Sequence, residues 1–271
     1  MKGILRLAAP LLVIAGAAAC GDGNGPSDQG TVVVRLTDAP SDDLQSATIY
    51  ISEVSLIPGG ATGDGEIIST AEQSFDLLTL QNGVTATLAT ASVPTGTYSQ
   101  VRLLVDSARV VLKPGKTFSD GSNTIKLLVP SGSQTGIKVV FSPPVEVTEG
   151  QTVLVVDFDV SRSFVFQGPA NNPTGMLFKP VLHATAQDVA ASVSGTITPA
   201  SSNATVYAIA GTDTVGTAFA NTTTGAYTIH FLPPGTYVIG AKATGFQNAT
   251  SASFTLGDSE VKTGVNLTLV P

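Results

Sequence analysis

The chain has 271 residues, enough for one large or two ordinary domains, and 42% of them are hydrophobic, so a packed core can form. Only 12% are charged, and the net charge of −7 argues against nucleic-acid binding. One cysteine and two histidines leave out thiolate zinc cages and most histidine-based metal centres.

The N-terminal segment has the layout of a bacterial secretory signal. Lys2 and Arg6 precede an uncharged run from Leu7 to Cys20, and three alanines at 17–19 lead into the cysteine. These alanines with Cys20 resemble a lipobox, which predicts a signal peptide over residues 1–19 and lipidation of Cys20. An ordinary secretory signal cleaved after residue 19 and a single membrane-spanning helix are the alternatives. The run has 14 residues, short of the ~20 that cross a bilayer.

The residues after Cys20 predict where the protein is held. Gly21, rather than an aspartate, follows the cysteine, and by resemblance to lipoprotein sorting in diderm bacteria this favours the outer membrane. Small polar residues fill positions 20–30 and predict a flexible tether. We therefore expect a cell-envelope protein whose partner is the membrane itself, reached through the lipid anchor.

Residues 31–188 are typical of a strand-rich domain. Thr, Val, Ser and Gly dominate, and Ile49 and Ile51 alternate with Thr48 and Tyr50, which is the period of a half-buried strand. Turns at short intervals, without an amphipathic helical stripe, predict an antiparallel sandwich. The predicted strands are Thr31–Leu36, Ala47–Ile57, Ser74–Leu80, Val84–Val93, Tyr98–Leu112, Thr124–Val129, Thr135–Phe141, Gln151–Val165 and Met176–Val189.

Five short segments of this domain carry a resemblance to a known family. They are Leu36–Pro40, Phe75–Leu78, Pro94–Tyr98 with Val101–Leu103, Val156–Asp159 and Lys179–Val181. With them the domain resembles a family of bacterial and archaeal lipoprotein domains of unknown function. The resemblance implies a fold and a compartment and brings no activity.

A composition shift near residue 190 marks a second domain over residues 192–271. Seven predicted strands recur every eight to twelve residues, which is the spacing of a small sandwich. The segments Ser194–Ile197, Thr224–Tyr227, Leu232–Tyr237 and Ala243–Phe246 resemble carboxypeptidase regulatory-like domains of transthyretin-like topology. The predicted fold class is therefore all-β, with two antiparallel β-sandwich domains in tandem behind a lipoprotein signal peptide.

One pair of carboxylates is a candidate for chemistry. Asp157 and Asp159 lie two residues apart on a predicted strand, so both side chains are expected to leave by one face. Such a pair could bind Ca²⁺, which needs six or more oxygens, with Asp38 and its turn as further ligands. The same pair could serve a hydrolase as acid and base. Solvation, or pairing with Arg162 or Lys179, is the alternative.

Binding without catalysis is the function that the sequence favours. No Gly-x-Ser-x-Gly elbow occurs, and His183 and His230 lie inside predicted strands, where a packed histidine is the usual case. The sequence predicts no cofactor. A binding or structural module with an envelope glycan or protein as partner remains, and sandwiches like the second one are relatives of starch-binding modules. Candidate sugar-stacking rings are Tyr50, Tyr207 and Tyr227, while Tyr98 and Tyr237 are expected in the core.

The lipid anchor predicts the behaviour of one variant. Cys20→Ser removes the only thiol that could be acylated, so labelling with a radioactive or clickable fatty acid should be lost and the protein should leave the membrane fraction. Membrane partition that persists in the variant after a salt wash would contradict the prediction.

Overall fold

A computed structural model gives the fold for residues 28–39, 41, 43–61, 63, 65–129, 135–169 and 171–271. Cys20, the predicted signal peptide and all but the last residues of the predicted tether lie outside these described residues. Over the described ranges, no helix is long and apolar enough to cross a membrane.

The first part of the molecule is built almost entirely from strands. One 3-10 turn (Leu77–Thr79) and one short helix, α1 (Val160–Ser163), interrupt them. The strands are β1 (Gln29–Ala39), β2 (Leu44–Pro58), β3 (Glu66–Ser69), β4 (Gln73–Asp76), β5 (Ala86–Pro94), β6 (Gly96–Leu112), β7 (Thr124–Leu128), β8 (Ile137–Val147), β9 (Gln151–Asp159), β10 (Phe164–Gln167), β11 (Gly175–Phe178) and β12 (Leu182–Ala186).

Two sheets of this part share one hydrophobic core. The first sheet has the order β12-β9-β1-β5, and the second has the order β3-β2-β6-β7 with β4 beside β2 and β8 beside β6. Alternate residues of each strand point inward, as Leu36, Phe158, Ile49 and Leu103 do, and they form a single buried cluster. The predicted all-β sandwich is confirmed for this part.

One strand pair departs from the predicted antiparallel arrangement. β1 and β9 run parallel, in register from Thr31 beside Gln151 to Ala39 beside Asp159. Parallel neighbours need a long crossover connection. Here the intervening chain passes through the second sheet and returns, so both strands enter the first sheet in the same direction.

The second part repeats the same architecture on a smaller scale. Its strands are β13 (Ala191–Thr198), β14 (Thr205–Ala210), β15 (Asp213–Phe219), β16 (Ala226–Leu232), β17 (Gly235–Lys242), β18 (Ala249–Thr250), β19 (Phe254–Leu256), β20 (Val261–Lys262) and β21 (Leu267–Thr268). One sheet has β16, β13, β20 and β21, and the other has β15, β14, β17, β18 and β19. Their inner faces enclose a second hydrophobic cluster that includes Val206, Ile229 and Ile239.

A buried tyrosine begins a core strand in each part. Tyr98 and Tyr237 each follow a Pro-x-Gly-Thr segment, and they are only 2% and 3% exposed. The Tyr98 hydroxyl donates to the carbonyl of Pro94 at 2.9 Å, and the Tyr237 hydroxyl donates to the carbonyl of Pro233 at 2.6 Å. Each phenol therefore fills the core and closes the turn that precedes it, and the core position predicted for both residues is confirmed.

We expect Tyr98→Phe and Tyr237→Phe each to lower the free energy of unfolding by about 0.5–1.5 kcal/mol, because the ring stays buried while one hydrogen bond is lost. Urea denaturation followed by fluorescence measures the change. Tyr50→Phe is the matched control, since Tyr50 is on the surface. An equal loss in all three variants would show that these bonds contribute nothing specific.

Candidate functional site

The second part of the molecule covers the outer face of the first sheet. Val33, Val155 and Thr185 point away from the first core, yet all three are buried. Strand β15 lies against both β1 and β9. The aspartates predicted as a site fall at the end of this covered face, so their surroundings are those of a junction between the two parts.

Asp159 ends strand β9 and begins helix α1. Its Oδ1 accepts hydrogen bonds from the Ser161 hydroxyl at 2.7 Å and from the backbone N–H of Arg162 at 3.1 Å. Aspartate is among the preferred residues at a helix N-cap. The predicted strand Gln151–Val165 is therefore wrong beyond Asp159, because this carboxylate satisfies helical N–H groups and turns the chain.

The same carboxylate reaches the second part. Its Oδ2 accepts a hydrogen bond from the hydroxyl of Thr217 on β15 at 3.4 Å, and Asp159 is 3% exposed. Asp38 is buried nearby and its Oδ1 accepts the backbone N–H of Val160 at 3.2 Å. Both side chains hold α1 in place, and Asp159 also holds the second part.

Asp157 lies between Thr37 of β1 and His183 of β12 in the sheet register. Burial, with the charge of Asp159 as the second cause, raises the pKa of the Asp157 carboxyl to about 7. The side chain borders a cavity of about 20 Å³ that Thr217 and His230 of the second part also line. This is roughly the space that one water molecule needs.

The three predicted metal ligands are thus brought near one another, and protein groups already occupy their oxygens. Asp159 accepts three hydrogen bonds and Asp38 accepts a backbone N–H. In the part of the chain that the structure describes, no group of three or more His, Cys, Asp or Glu side chains is placed to hold a metal ion. The geometry gives these carboxylates a structural role at the junction.

Two further side chains join the parts at one carbonyl. Arg162 Nη1 donates to the carbonyl oxygen of Thr214 at 2.6 Å, and His183 Nε2 lies 3.1 Å from the same oxygen. Burial lowers the pKa of His183, the bond to Thr214 raises it, and the Arg162 charge lowers it further. The imidazole is therefore suited to donate to this carbonyl as a neutral ring.

His230 of β16 packs against the turn at Gly83. A Cβ built on Gly83 would lie 3.2 Å from the His230 Cδ2 atom, and the backbone there has a φ of +82°. Both facts favour glycine, because a side chain would press on the ring and would adopt a strained conformation. Burial lowers the pKa of His230. The histidines predicted as packed strand residues are therefore both contacts between the two parts.

Two open grooves border these elements. The junction groove has a volume of about 580 Å³, and its lining includes Arg162, Phe164 and Phe166 from the first part and Thr205, Tyr207 and Phe219 from the second. The sheet groove, about 700 Å³, crosses the outer face of the second sheet, and its lining includes Tyr50, Glu72, Gln73, Asp106, Arg109 and Lys126.

The three candidate stacking tyrosines separate clearly. Tyr227 is 3% exposed, its hydroxyl donates to the carbonyl of Val265 at 2.6 Å, and burial raises its pKa to about 12. It belongs to the second core, and the prediction that it could meet a ligand is wrong. Tyr50 is 36% exposed in the sheet groove, and Tyr207 is half-buried in the junction groove.

Asp157→Asn should change how stability depends on pH. The raised pKa means that the folded protein keeps a proton that the unfolded chain releases above pH 3.8, so wild-type stability falls as the pH rises from about 4 to about 7. Asparagine cannot ionise. The variant should be nearly as stable as the wild type at pH 4 and more stable by roughly 1–3 kcal/mol at pH 8, measured by urea denaturation.

Asp258→Asn is the matched control, since Asp258 is an exposed carboxylate outside the junction. It should leave the pH dependence unchanged. Parallel curves for the wild type and Asp157→Asn between pH 4 and pH 8 would show that the Asp157 carboxyl ionises normally in the folded protein.

Solved structures offer only distant similarity. The Bacillus anthracis TIE protein is 12% identical with a TM-score of 0.24, and the match covers 89% of this chain and 34% of that one. A leucine-rich repeat protein from Bacteroides thetaiotaomicron is 12% identical with a TM-score of 0.19, covering 90% and 26%. The major pilin T-13 of Streptococcus pyogenes is 13% identical with a TM-score of 0.18, covering 90% and 98%.

This chain thus spans about a third and a quarter of the length of the first two structures. A comparison with curated proteins returns no match. The family described as "Domain of unknown function (DUF4382)" matches residues 29–180, which is more than half of the 271 residues. The uncharacterised domain predicted from the motifs of the first part is confirmed, and the chain belongs to the DUF4382 family.

Proposed function

We propose that the protein is a non-enzymatic saccharide-binding module held at the bacterial cell envelope by a lipid on Cys20. The observation that carries the proposal is the pairing, in each of the two open grooves, of a tyrosine ring with polar and charged side chains. Sugars present an apolar C–H face to aromatic rings and hydroxyls to polar neighbours, so this combination fits them.

The size and openness of the grooves support this ligand class. Volumes of about 700 and 580 Å³ fall within the 300–1,000 Å³ that is typical of ligand sites. The cavity that borders Asp157 measures about 20 Å³, far too small for a sugar ring. A substrate therefore has room beside the tyrosines and none beside the raised-pKa carboxyl.

The state of the acidic residues supports binding over hydrolysis or calcium-dependent activity. A catalytic acid or base must reach the reacting atoms of its substrate. Asp159 is buried and engaged with Ser161, Arg162 and Thr217, so neither of its oxygens faces a groove with free valence for substrate or metal. The calcium hypothesis rests on the same residues and loses support for the same reason.

Two features of the sequence complete the proposal. The segments of the second part that resemble carboxypeptidase regulatory-like domains fall on its sandwich, a scaffold that suits a binding role. The first strand begins at Gln29, shortly after Cys20, and a tether of ten small residues spans about 17 Å. A lipid on Cys20 would therefore hold both grooves close above the membrane, within reach of envelope glycans.

A glycan array probed with the mature chain carrying Cys20→Ser tests the proposal. We expect binding to one class of saccharide, weakened about tenfold by Tyr207→Ala or Tyr50→Ala, because one ring stack contributes about 0.5–1.5 kcal/mol. Val261→Ala is the control, since Val261 is exposed and outside both grooves. Blank signals on every polysaccharide would refute a saccharide ligand.

A further inference from the structure

We propose that the junction groove binds an acidic saccharide, with the carboxylate held by Arg162 of the first part and Lys242 of the second. This inference rests on the proposed saccharide function and adds the site, the charge of the ligand and the need for both parts of the chain. The argument runs from the strand register to the groove and then to its charges.

The strand register turns one face of β14 and β15 toward the first part. Thr205 pairs with Phe219, and Tyr207 pairs with Thr217, so these four side chains leave the same face. Thr217 donates to Asp159 across the junction. The junction groove is therefore the continuation of a docked face, and the contact that joins the two parts also sets the groove's width.

The apolar lining of this groove offers flat surfaces. Phe164 is buried, while Phe166, Tyr207 and Phe219 are half-buried and keep part of each ring accessible. Polar groups stand beside these rings, with the Ser161 hydroxyl on one side and the Thr205 hydroxyl on the other. Ring faces with hydroxyls at their edge suit a pyranose better than a purely apolar ligand.

Positive charge flanks the groove from both parts. Arg162 is exposed, and the one bond described for its guanidinium goes to a neutral carbonyl, that of Thr214. Lys242 is exposed and is the cross-strand partner of Thr205, so its side chain leaves the face that lines the groove. In a chain with a net charge of −7, two cations flanking one groove indicate an anionic ligand.

The acidic residue in the lining does not cancel this charge. Asp43 also borders the junction groove, and its carboxylate pairs with the ammonium group of Lys116. A guanidinium binds a carboxylate through two parallel hydrogen bonds, and an ammonium adds a point charge. A uronic acid supplies both the ring for the aromatic faces and the carboxylate for Arg162 and Lys242.

The test compares acidic trisaccharides with neutral ones of the same shape. An array carries trigalacturonate, triglucuronate and trimannuronate beside their carboxyl-reduced forms, and it is probed with the mature chain carrying Cys20→Ser. The tightest acidic trimer and its reduced form are then titrated calorimetrically. We expect the acid to bind about tenfold more tightly, and its affinity to fall as sodium chloride rises from about 50 to about 500 mM.

Variants of the two cations locate the carboxylate. Lys242→Gln and Arg162→Gln should each weaken binding of the acidic trimer roughly five- to tenfold and leave binding of its reduced form unchanged. Lys242 takes no part in the junction contacts described above, so its variant reports on charge alone, and thermal unfolding checks that Arg162→Gln stays docked. Lys138→Gln, an exposed lysine on β8, is the matched control.

The outcomes separate this inference from the proposed function. Equal affinity for the acidic and reduced trimers, or unchanged binding in both cation variants, overturns the inference while saccharide binding stands. Loss of binding through Tyr50→Ala but not Tyr207→Ala places the ligand in the sheet groove and overturns it as well. No binding to any acidic or neutral saccharide overturns both.

Discussion

The carboxylate of Asp159 is the constraint on which the junction depends. One of its oxygens accepts the donors that begin α1, and the other accepts the hydroxyl of Thr217 from the second part. The helix it caps carries Arg162, which reaches the carbonyl of Thr214. A buried carboxylate is tolerated only where hydrogen bonds replace its water. Here those bonds come from both parts, so their relative position and the ionisation of Asp159 stabilise each other.

Much of the fold could be predicted because it follows from local pattern. The alternation around Ile49 and Ile51 placed β2, and the Pro-x-Gly-Thr segments before Tyr98 and Tyr237 placed two core strands with their turns. Helix α1 could not be predicted, since four residues are too few to show a helical period and Asp159 reads as an ordinary strand residue. The parallel pairing of β1 with β9 joins residues about 120 positions apart, and no local pattern encodes it.

The candidate site shows where such reasoning stops. The spacing of Asp157 and Asp159 correctly drew attention to one end of the first sheet, and it could not reveal what covers that end. Thr217 lies 58 residues beyond its partner Asp159. Tyr207 and Tyr227 likewise look equivalent in the sequence, and only the facing sheet decides that one borders a groove while the other fills a core. The lipidation of Cys20 and the regulatory-like assignment of the second part stay predictions.

The family match and the groove divide the chain differently, and this bears on function. The DUF4382 region ends at residue 180, whereas Thr205, Tyr207 and Phe219 line the junction groove from beyond it. A groove of this composition therefore depends on the pairing of the two parts, and the family region alone supplies only one wall. Asp157 stays at that pairing although burial raises its pKa and so costs stability near neutral pH. A junction selected for stability alone would favour an uncharged side chain there, so the docked arrangement is better explained by what the two parts form together.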